Sequence, residues 1–447
     1  MEYNILDFGA KEGGNVNCGP QIQAAIDACA KTGGRVVVPA GRFLSGSLRL
    51  RSEVELHLER GAVLVSSLNP EDVIDFTREF EDDNADVGWE GGCFLFAMHE
   101  NNITISGDGM IDGQGKEVFY DDGADSPFHE CPLAVKGIRP RTTFLEDVEN
   151  LTVRDVTFFD AAFWTLHMAG CNNVLVEGIR IFNNDRGPNN DGIDPDCCKN
   201  VIVRGCIIES GDDSIVVKAT GPMAKKYGDC ENVVIQGCVM HSRDSALKIG
   251  TETHGSIRNV VLSDCIIRDC SRAVGIWARD GGTIEDIYIH HITGSTRRYA
   301  DCPERDGMAP RWWGKGEPVF LSATKRKGVD RLPGKIKHVT FEHLRLKSES
   351  CMFIGGEEYS TIDGIRLEDI EITWRQQGQH APGVFDEQPS VRDVYEHEIP
   401  CVYGRYVNGL YISGSLTVED SLKDVIQKRE ILENCENCRI EIWDSWL

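Results

Sequence analysis

From about residue 100 onward, short runs of alternating hydrophobic and polar residues recur every 23 to 32 residues. Each repeat has two β-branched runs separated by Gly, Asp or Asn, a pattern that predicts two short strands. One repeat cannot bury its apolar face alone, whereas stacked repeats share a continuous core. The clearest copies are ENLTVRDVTFF, NNVLVEGIRIF, KNVIVRGCIIES, ENVVIQGCVMHS and RNVVLSDCIIRDC.

This repeat predicts an all-β fold, a right-handed parallel β-helix. An antiparallel sandwich would need regular hairpin turns such as Asn-Gly, and these are scarce in the chain. Asparagine recurs at one repeat position and is expected at equivalent turns, where it tolerates the left-handed conformation and can stack. We interpret this column as structural. Its members are Asn150, Asn173, Asn200, Asn232 and Asn259.

Before the repeats, the sequence predicts one short amphipathic helix over residues 20–31. Ile22, Ala25, Ile26 and Cys29 follow the spacing i, i+3, i+4, i+7, and Pro20 stands at an allowed first-turn position. A helix at this place would cap the open end of the β-helix, which otherwise exposes backbone and apolar side chains.

No linker divides the chain, so we expect a single parallel β-helix domain over residues 1–447. Two irregular, charged stretches, 71–89 and 297–331, predict loops, and loops of that length are usually functional or mobile. The expected parts are an N-terminal cap with the first coils (1–100), core coils with the active site (100–295), a long loop insertion (296–335), and C-terminal coils with a cap (336–447).

The net charge of -25 argues against binding to nucleic acid or to an anionic membrane, because both need clustered Lys and Arg. No apolar run approaches the length of a membrane span. The chain opens with MEYNILDFGA, which is not a secretory leader. We therefore expect a cytoplasmic protein, or an extracellular or periplasmic one if a leader was removed.

The 17 cysteines are expected to be reduced and structural, which also favours the cytoplasm. Cys206, Cys238 and Cys265 recur at one repeat position, as expected for small hydrophobic side chains that stack in the core. The pairs Cys197-Cys198 and Cys435-x-x-Cys438 lack the second half of a zinc site. We expect neither a metal nor a cofactor.

Three carboxylates carry the candidate chemistry. Asp191 lies in NNDGIDPD, and Asp212 and Asp213 lie in SGDDSIVVK, each in a turn about one coil from the other. If both turns occupy one edge of the stack, the like charges raise each other's proton affinity, and one acid can stay protonated. Glycosidic cleavage requires such a proton donor beside a carboxylate that activates water. Asp-rich turns or a calcium site are the alternatives at this stage.

The chain resembles glycoside hydrolase family 28, the polygalacturonase group of the pectin-lyase-like β-helix superfamily. ILDFGAKEGG, QIQAAIDACAKTGGRVVVPAGRFLSGSL and VELHLERGAVL match the family's opening in order, and GDGMIDGQG and FWTLHMAGCNNV resemble its middle coils. NNDGID resembles the family's Asn-Thr-Asp-Gly-x-Asp block, and GDDSIVVK resembles its Gly-Asp-Asp-x-x-x-x-Lys block. The order and spacing of the two blocks carry the resemblance.

The resemblance implies hydrolysis with inversion. On the family's pattern Asp212 is the general acid, while Asp191 and Asp213 hold the attacking water. Inversion predicts that Asp212 lies roughly 6.5 to 9.5 Å from a water-activating carboxylate.

Four further residues in the matched segments are implied to bind or support the substrate. They are Asn189, Asp194 and Lys218 in the two blocks and His167 in the middle coils. Lys218 is expected to hydrogen-bond the sugar or to keep an Asp ionised. The alternative for Lys218 is an end-of-strand lysine whose ammonium points outward into water.

The chain departs from the family at the residues that hold a uronate. Arg243-Asp244-Ser245 replaces Gly-His-Gly, so Asp244 stands in place of the histidine and is expected to bind neutral hydroxyls. Gly275-Ile276-Trp277 replaces Arg-Ile-Lys, whose cations grip the galacturonate carboxylate. Trp277 is interpreted as a stacking platform for a pyranose, with a packed coil residue as the alternative.

Two arrangements remain open for the sugar at the cleavage site. A uronate could be held by Arg272 or Arg279, on either side of Trp277, or by Lys218 or Lys248. Otherwise, the sugar unit at this position is neutral.

The sequence thus predicts a glycosidase that acts, without a cofactor, on a pectin-derived or related plant oligosaccharide. Release from one chain end is expected, with the two loops closing one end of the groove. A polygalacturonase on galacturonate oligomers, a calcium-dependent polysaccharide lyase and a non-catalytic carbohydrate-binding solenoid are the alternatives. No pattern indicates an oligomeric state.

Overall fold

The strands of the chain wind into a right-handed parallel β-helix, as the repeat predicts. Nearly all pairings join a strand to its equivalent in the next coil, so the apolar side chains of successive coils stack into one core. A computed structural model describes residues 1–74, 92–120, 130–299, 314–381, 383–392, 394–396 and 399–444.

The first coils are built from strands that precede residue 113. They are β1 (Glu2–Asn4), β2 (Gly34–Val38), β3 (Gly41–Ser45), β4 (Leu48–Arg49), β5 (Val54–Leu58), β6 (Ala62–Ser66), β7 (Cys93–Ser106) and β8 (Met110–Asp112).

The middle coils follow the sequence repeat closely. They contain β9 (Arg141–Arg154), β10 (Thr157–Phe159), β11 (Leu166–Ala169), β12 (Asn172–Glu177), β13 (Arg180–Phe182), β14 (Ile193–Asp196), β15 (Lys199–Arg204), β16 (Ile207–Ser210), β17 (Ile215–Ala219), β18 (Cys230–Gln236), β19 (Val239–Ser242), β20 (Ser245–Thr253), β21 (Ile257–Ser263), β22 (Ile266–Cys270) and β23 (Arg272–Trp277).

The last coils have longer strands, and β29 and β30 form an antiparallel hairpin beside them. The strands are β24 (Ile284–Thr296), β25 (Glu317–Ser322), β26 (Ile336–Ser348), β27 (Met352–Gly355), β28 (Ile362–Trp374), β29 (Val384–Asp386), β30 (Val394–Glu396), β31 (Pro400–Arg405), β32 (Val407–Val418), β33 (Lys428–Glu433) and β34 (Arg439–Asp444).

Three ladders of paired strands form the three sides of the β-helix. The first ladder includes β12, β15, β18 and β21, and the second includes β13, β16 and β19. The third ladder runs through β9, β11, β14, β17, β20, β23, β25, β27 and β31. The candidate site lies on the third ladder.

Helix α1 (Gly19–Cys29) confirms the predicted N-terminal helix. Its buried face contains Ile22, Ala25, Ile26 and Cys29, which are the positions given by the helical spacing. Two further short helices lie in connections, α2 (Gly115–Val118) and α3 (Gly221–Tyr227).

The asparagine column is also confirmed. Asn150, Asn173, Asn200, Asn232 and Asn259 all have left-handed backbone conformations, with φ between 54° and 61°. The side-chain amide of Asn232 donates to Asn200 and that of Asn259 donates to Asn232, both at 3.1 Å. The column therefore fixes the same turn in successive coils.

The expectation that every cysteine is reduced is wrong for Cys131, which is disulfide-bonded. Cys131 follows α2 and lies outside the repeats, so the repeat argument does not apply to it. Cys206, Cys238 and Cys265 are free and buried, as expected for the stacked column.

The expectation of an uninterrupted loop over 297–331 is wrong for β25, which pairs with β23 and β27 in the third ladder. Its apolar core, Val319 to Leu321, is too short for alternation to identify it within a charged stretch. The interpretations of residues 75–89 and 300–313 as loops lie outside the described residues. No helix in the described ranges is long and apolar enough to span a membrane.

Candidate active site

The three candidate acids lie together at one edge of the third ladder. Asp191 precedes β14, and Asp212 and Asp213 precede β17, which pairs with β14 in parallel. One carboxylate oxygen from each acid lies within 4.8 Å of the others, and all three residues are buried. Equivalent positions in adjacent coils are one strand spacing apart, about 4.7–4.9 Å, which sets this distance. The separation of roughly 6.5 to 9.5 Å expected between whole carboxyl groups stays a prediction, because the 4.8 Å limit applies to one oxygen of each acid.

The side chain of Asn190 joins the two acidic turns by hydrogen bonds. Asn190 is not among the site residues predicted from the sequence. Its Oδ1 accepts hydrogen bonds from the backbone amides of Gly211 (2.8 Å) and Asp212 (3.1 Å). Its Nδ2 donates to the carbonyl oxygen of Asn184 at 2.7 Å. The side chain is fully buried. The signal available in the sequence was an amide next to Asp191 where the family block has Thr.

Backbone amides hold the Asp212 carboxylate. The amide of Asn189 donates to Oδ2 at 3.0 Å, and the amide of Asp213 donates to Oδ1 at 3.1 Å. Asn189 thus contributes to the site through its main chain. The carbonyl oxygen of Asp212 accepts hydrogen bonds from the hydroxyls of Ser210 and Ser242. These contacts fix the position of Asp212 relative to the ladder.

Asp213 is paired with a lysine of the next coil. Lys248 Nζ lies 2.8 Å from Asp213 Oδ2, and the amide of Ser245 donates to Oδ1 at 3.2 Å. Lys248 also lies 3.9 Å from Asp244. The structure therefore places Asp244 beside the acidic cluster, with its charge offset by Lys248.

Lys218 is buried among carboxylates, and does not point outward into water. Its Nζ lies 3.4 Å from both Asp191 Oδ2 and Asp194 Oδ1 and 3.7 Å from the centre of the Trp164 ring. Burial opposes its charge, but these acids, led by Asp191, raise the pKa of Lys218. Burial would likewise raise the pKa of Glu252, but Lys218 lowers it to about 2.

The acids themselves are biased towards holding protons. Burial, followed by the charge of Asp212, raises the pKa of Asp191 well above its ordinary value. Burial also raises the pKa of Asp213, against the effect of Lys248, and raises that of Asp194 to about 7. The cluster can therefore retain a proton near neutral pH, which is the property that a general acid requires.

His167 lies one coil below Asp194 in the third ladder and is fully buried. Its ring packs between Phe144 and Trp164, and Nε2 lies 3.3 Å from Asp196. Burial lowers the pKa of His167 to about 4, so its ring is neutral at pH 7. The structure places His167 beneath the site, where it supports Trp164 and Asp196.

Trp277 is fully buried, which favours the packed coil residue over the stacking platform. Its ring occupies the space above Gly275, where an added Cβ would lie 2.2 Å from a ring carbon. It also packs on Phe320 with 5.0 Å between ring centres. A sugar cannot reach either face of this ring in the observed conformation.

Arg272 and Arg279 are also fully buried. Arg272 lies 3.6 Å from Asp244 and 3.4 Å from Glu317. The guanidinium of Arg279 donates to carbonyl oxygens of Ala278, Ser322, Glu387 and Pro389 and to the Ser322 hydroxyl. Its N–H groups are thereby used within the protein, which removes Arg279 from the residues that could grip a uronate.

The contacts around Lys218, Lys248 and Arg272 involve more carboxyl groups than cations, so each of these cations is already paired within the protein. The carboxyl groups in contact with these three cations belong to Asp191, Asp194, Asp213, Asp244, Glu252 and Glu317.

Comparison with known proteins gives a consistent result. The profile of glycosyl hydrolases family 28 matches residues 31–295. A probable polygalacturonase from Vitis vinifera is 31% identical over 223 residues, which cover 48% of this chain and 44% of the relative. An exo-poly-alpha-D-galacturonosidase from Dickeya chrysanthemi is 29% identical over 251 residues, which cover 47% and 41%. The chain spans less than half the length of these two curated relatives.

The same fold occurs in the structure of the Yersinia enterocolitica family 28 exopolygalacturonase. The TM-score is 0.71 at 17% sequence identity, and the match covers 99% of this chain and 78% of that chain. This likeness supports the β-helix architecture along almost the whole chain.

Proposed function

Because the chain belongs to glycosyl hydrolases family 28, we propose that it hydrolyses a glycosidic bond in a pectin-derived oligosaccharide. The observation that carries the proposal is the convergence of Asp191, Asp212 and Asp213 within 4.8 Å at one edge of the third ladder. Each of Asp191 and Asp213 is paired with a lysine from the next coil, which offsets its charge. These two acids are thereby suited to act as bases.

In the proposed mechanism Asp212 donates its proton to the leaving glycosidic oxygen as the bond to the anomeric carbon breaks. Water attacks that carbon and transfers a proton to Asp191 or Asp213. Asp191 Oδ1 is buried and has no hydrogen-bond partner among the described residues. Lys218 and Lys248 lower the pKa values of Asp191 and Asp213 against the effect of burial, which favours the ionised form of each base.

The direct test is release of reducing ends from defined pectin oligosaccharides by the wild type and by Asp212→Asn. Loss of the proton donor should lower kcat by about 10²- to 10⁴-fold. Asp191→Asn and Asp213→Asn should have comparable effects that do not add, because the acids act as one unit. An Asp212→Asn enzyme with near-normal turnover would contradict the assignment.

Inversion requires its own test, because a distance between single oxygens of the acids does not give the separation of carboxyl groups that distinguishes inverting from retaining enzymes. Proton NMR of the first-formed product distinguishes the two outcomes. We expect the anomeric configuration to invert, in line with the family. A retained configuration would indicate that one of the acids attacks the sugar directly.

We propose release from a chain end because the outer face of the third ladder is covered at β25 and β27, in the coils that follow the acids. Residues 383–392, which include β29, pack over the outer face of these strands. Mono- or disaccharides should appear from the first time points. A rapid fall in polymer viscosity with long products would show internal cleavage instead.

Galacturonate is one candidate for the sugar at the cleavage site, because both curated relatives carry names for enzymes that act on galacturonan. A neutral or deoxy sugar is the second, and it is favoured because Lys218 and Lys248 already pair with carboxyl groups of the protein. Initial rates on matched oligosaccharides with and without a uronate at that position distinguish them. Efficient cleavage of unsubstituted oligogalacturonate would exclude the neutral sugar.

Two alternative functions, a calcium-dependent lyase and a non-catalytic binding protein, are tested with the same assays. A calcium-dependent lyase would lose activity in a chelator and release unsaturated products that absorb in the ultraviolet. A non-catalytic binding protein would release no reducing ends. We expect activity to persist in the chelator without ultraviolet-absorbing product.

A further inference from the structure

Residues 383–392 form a segment whose central part, residues 385–387, is buried against the outer face of the third ladder; we call it the covering segment. Phe385, Asp386 and Glu387 are each no more than 2% exposed. Such burial is unusual for a connection between strands, because most connections run over the surface. The segment must therefore have specific partners in the ladder.

Three buried arginines supply the polar partners. Arg272 donates to the Asp386 carbonyl oxygen at 3.0 Å, and Arg279 donates to the Glu387 carbonyl oxygen at 3.0 Å. Arg405 contacts both carboxylate oxygens of Glu387, at 3.0 and 3.1 Å. Charge-assisted hydrogen bonds and bidentate ion pairs are stronger than hydrogen bonds between neutral groups, and those formed by these three arginines are buried.

A column of aromatic rings supplies the apolar partner. One position is paired in register through four successive strands of the third ladder, and it is occupied by Gly275, Phe320, Phe353 and Tyr403. Phe320 and Phe353 stack at 4.8 Å, and Phe353 and Tyr403 stack at 5.2 Å. Phe385 of the covering segment packs on Phe353 at 5.2 Å and on Tyr403 at 4.8 Å.

Trp277 begins this column. Its ring fills the space above Gly275 and packs on Phe320, so the Gly275-Trp277 pair extends the apolar surface towards the catalytic coil. The departure from the family pattern and the covering segment are thus parts of one packed structure.

The covering segment reaches the catalytic acids through a short chain of ionic contacts. Asp213 contacts Lys248, Lys248 contacts Asp244, and Asp244 contacts Arg272, at 2.8, 3.9 and 3.6 Å. Arg272 then binds the carbonyl oxygen of Asp386. Lys248 pairs with Gly275 in the next strand of the ladder, and Gly275 pairs with Phe320 in the one after it. The backbones of Lys248 and Phe320 are therefore two strand spacings apart, about 10 Å.

We propose that the covering segment, held by Arg272, Arg279 and Arg405 and seated on Trp277 and the aromatic column, fixes where a bound sugar chain must end. Arg272 and Arg279, which the sequence suggested as uronate-binding residues, thereby determine the length of the oligosaccharide that the enzyme accepts. This inference rests on the proposed glycosidase activity. Arg272 and Arg279 are positioning residues, since they act through the segment and do not touch substrate.

The test compares Phe385→Ala with wild type on oligosaccharides of increasing length that are labelled at the reducing end. Loosening the segment should end the exclusive release of mono- and disaccharides and produce longer fragments from internal bonds. The rate on the shortest cleavable oligosaccharide should stay near the wild-type value, because the acids are unchanged. Phe341→Ala is the matched control. Phe341 is equally buried, but it lies in β26, in the continuation of the first ladder and away from the third ladder.

An unchanged product pattern in folded Phe385→Ala would overturn the inference. If that variant does not fold, hydrogen exchange of the wild type decides the question. The amides of residues 385–387 should exchange slowly and become slower still when an oligosaccharide is bound to Asp212→Asn. Exchange as fast as in an exposed loop, or unaffected by the oligosaccharide, would count against the inference. Absence of any cleavage by the wild type would instead refute the proposed function.

Discussion

At the residue scale, Asn190 determines how the two acidic turns meet. Its side chain joins the amides of Gly211 and Asp212 to the preceding turn. Asn190→Ala would leave buried amides unsatisfied, at a cost of about 1–3 kcal/mol, and would free Asp212 to shift. Because displacement by 1 Å can cost about 10²-fold in rate, we expect kcat to fall much more than KM rises.

The measurement is steady-state kinetics together with the urea midpoint. Asn200→Ala is the control, because it removes an amide from the exposed asparagine column and should leave kcat unchanged. Asn190→Thr, which restores the family's residue, should recover part of the lost rate. Equal loss of kcat in both alanine variants would show a general effect on folding.

The burial of Trp277 changes the result expected from its substitution. A stacking platform would raise KM when removed, whereas a buried ring of the aromatic column contributes to folding. Trp277→Ala should lower the free energy of unfolding by about 3–5 kcal/mol, as for other large core residues. Denaturant unfolding measures this directly. A stable variant with a raised KM would restore the stacking interpretation.

His167 gives the protein a predictable dependence on pH. Its pKa is about 4 when folded and about 6.5 in an unfolded chain, so the unfolded state binds more protons between these values. Stability from this residue is therefore complete above pH 6.5 and is lost as the pH falls towards 4. His167→Gln should flatten that part of the stability curve. Parallel curves for the two proteins in urea titrations would contradict this.

At the element scale, helix α1 covers the first coil with an apolar face that the sequence spacing identified. Ile26→Ala should destabilise the protein by about 2–5 kcal/mol, because Ile26 is fully buried under the helix. Asp27→Ala, on the exposed face of the same helix, should cost about 1 kcal/mol or less. Thermal or denaturant unfolding of the pair provides the comparison. Similar losses for both would show that α1 does not seal the core.

Sequence periodicity predicted the regular elements well but failed for contacts between distant segments. The repeats, α1 and the asparagine turns follow from local spacing, and the acids meet because their turns occupy adjacent coils. Strand β25 was missed because three apolar residues carry no periodic signal. The burial of Arg279 was not predictable either, since it depends on carbonyl oxygens more than 100 residues away.

At the scale of the whole molecule, the net charge of -25 should slow the approach of an acidic substrate. Added salt screens this repulsion, with a Debye length of about 10 Å at 0.1 M. For uronate oligosaccharides kcat/KM should therefore rise with ionic strength, whereas for neutral ones it should stay level. Initial rates across a salt series test this. A fall for uronates would reveal an accessible cationic subsite.

The asparagine column also limits how such a chain can change in length during evolution. Its members are separated by 23, 27, 32 and 27 residues, yet each takes the same turn conformation. The 32-residue interval contains helix α3. The additional residues of this coil thus form a connection between strands, and the strands on either side of it keep their register. Duplication of a whole coil preserves the alignment of the strands, whereas a gain of one residue within a strand would shift the side chains that follow it to the opposite face.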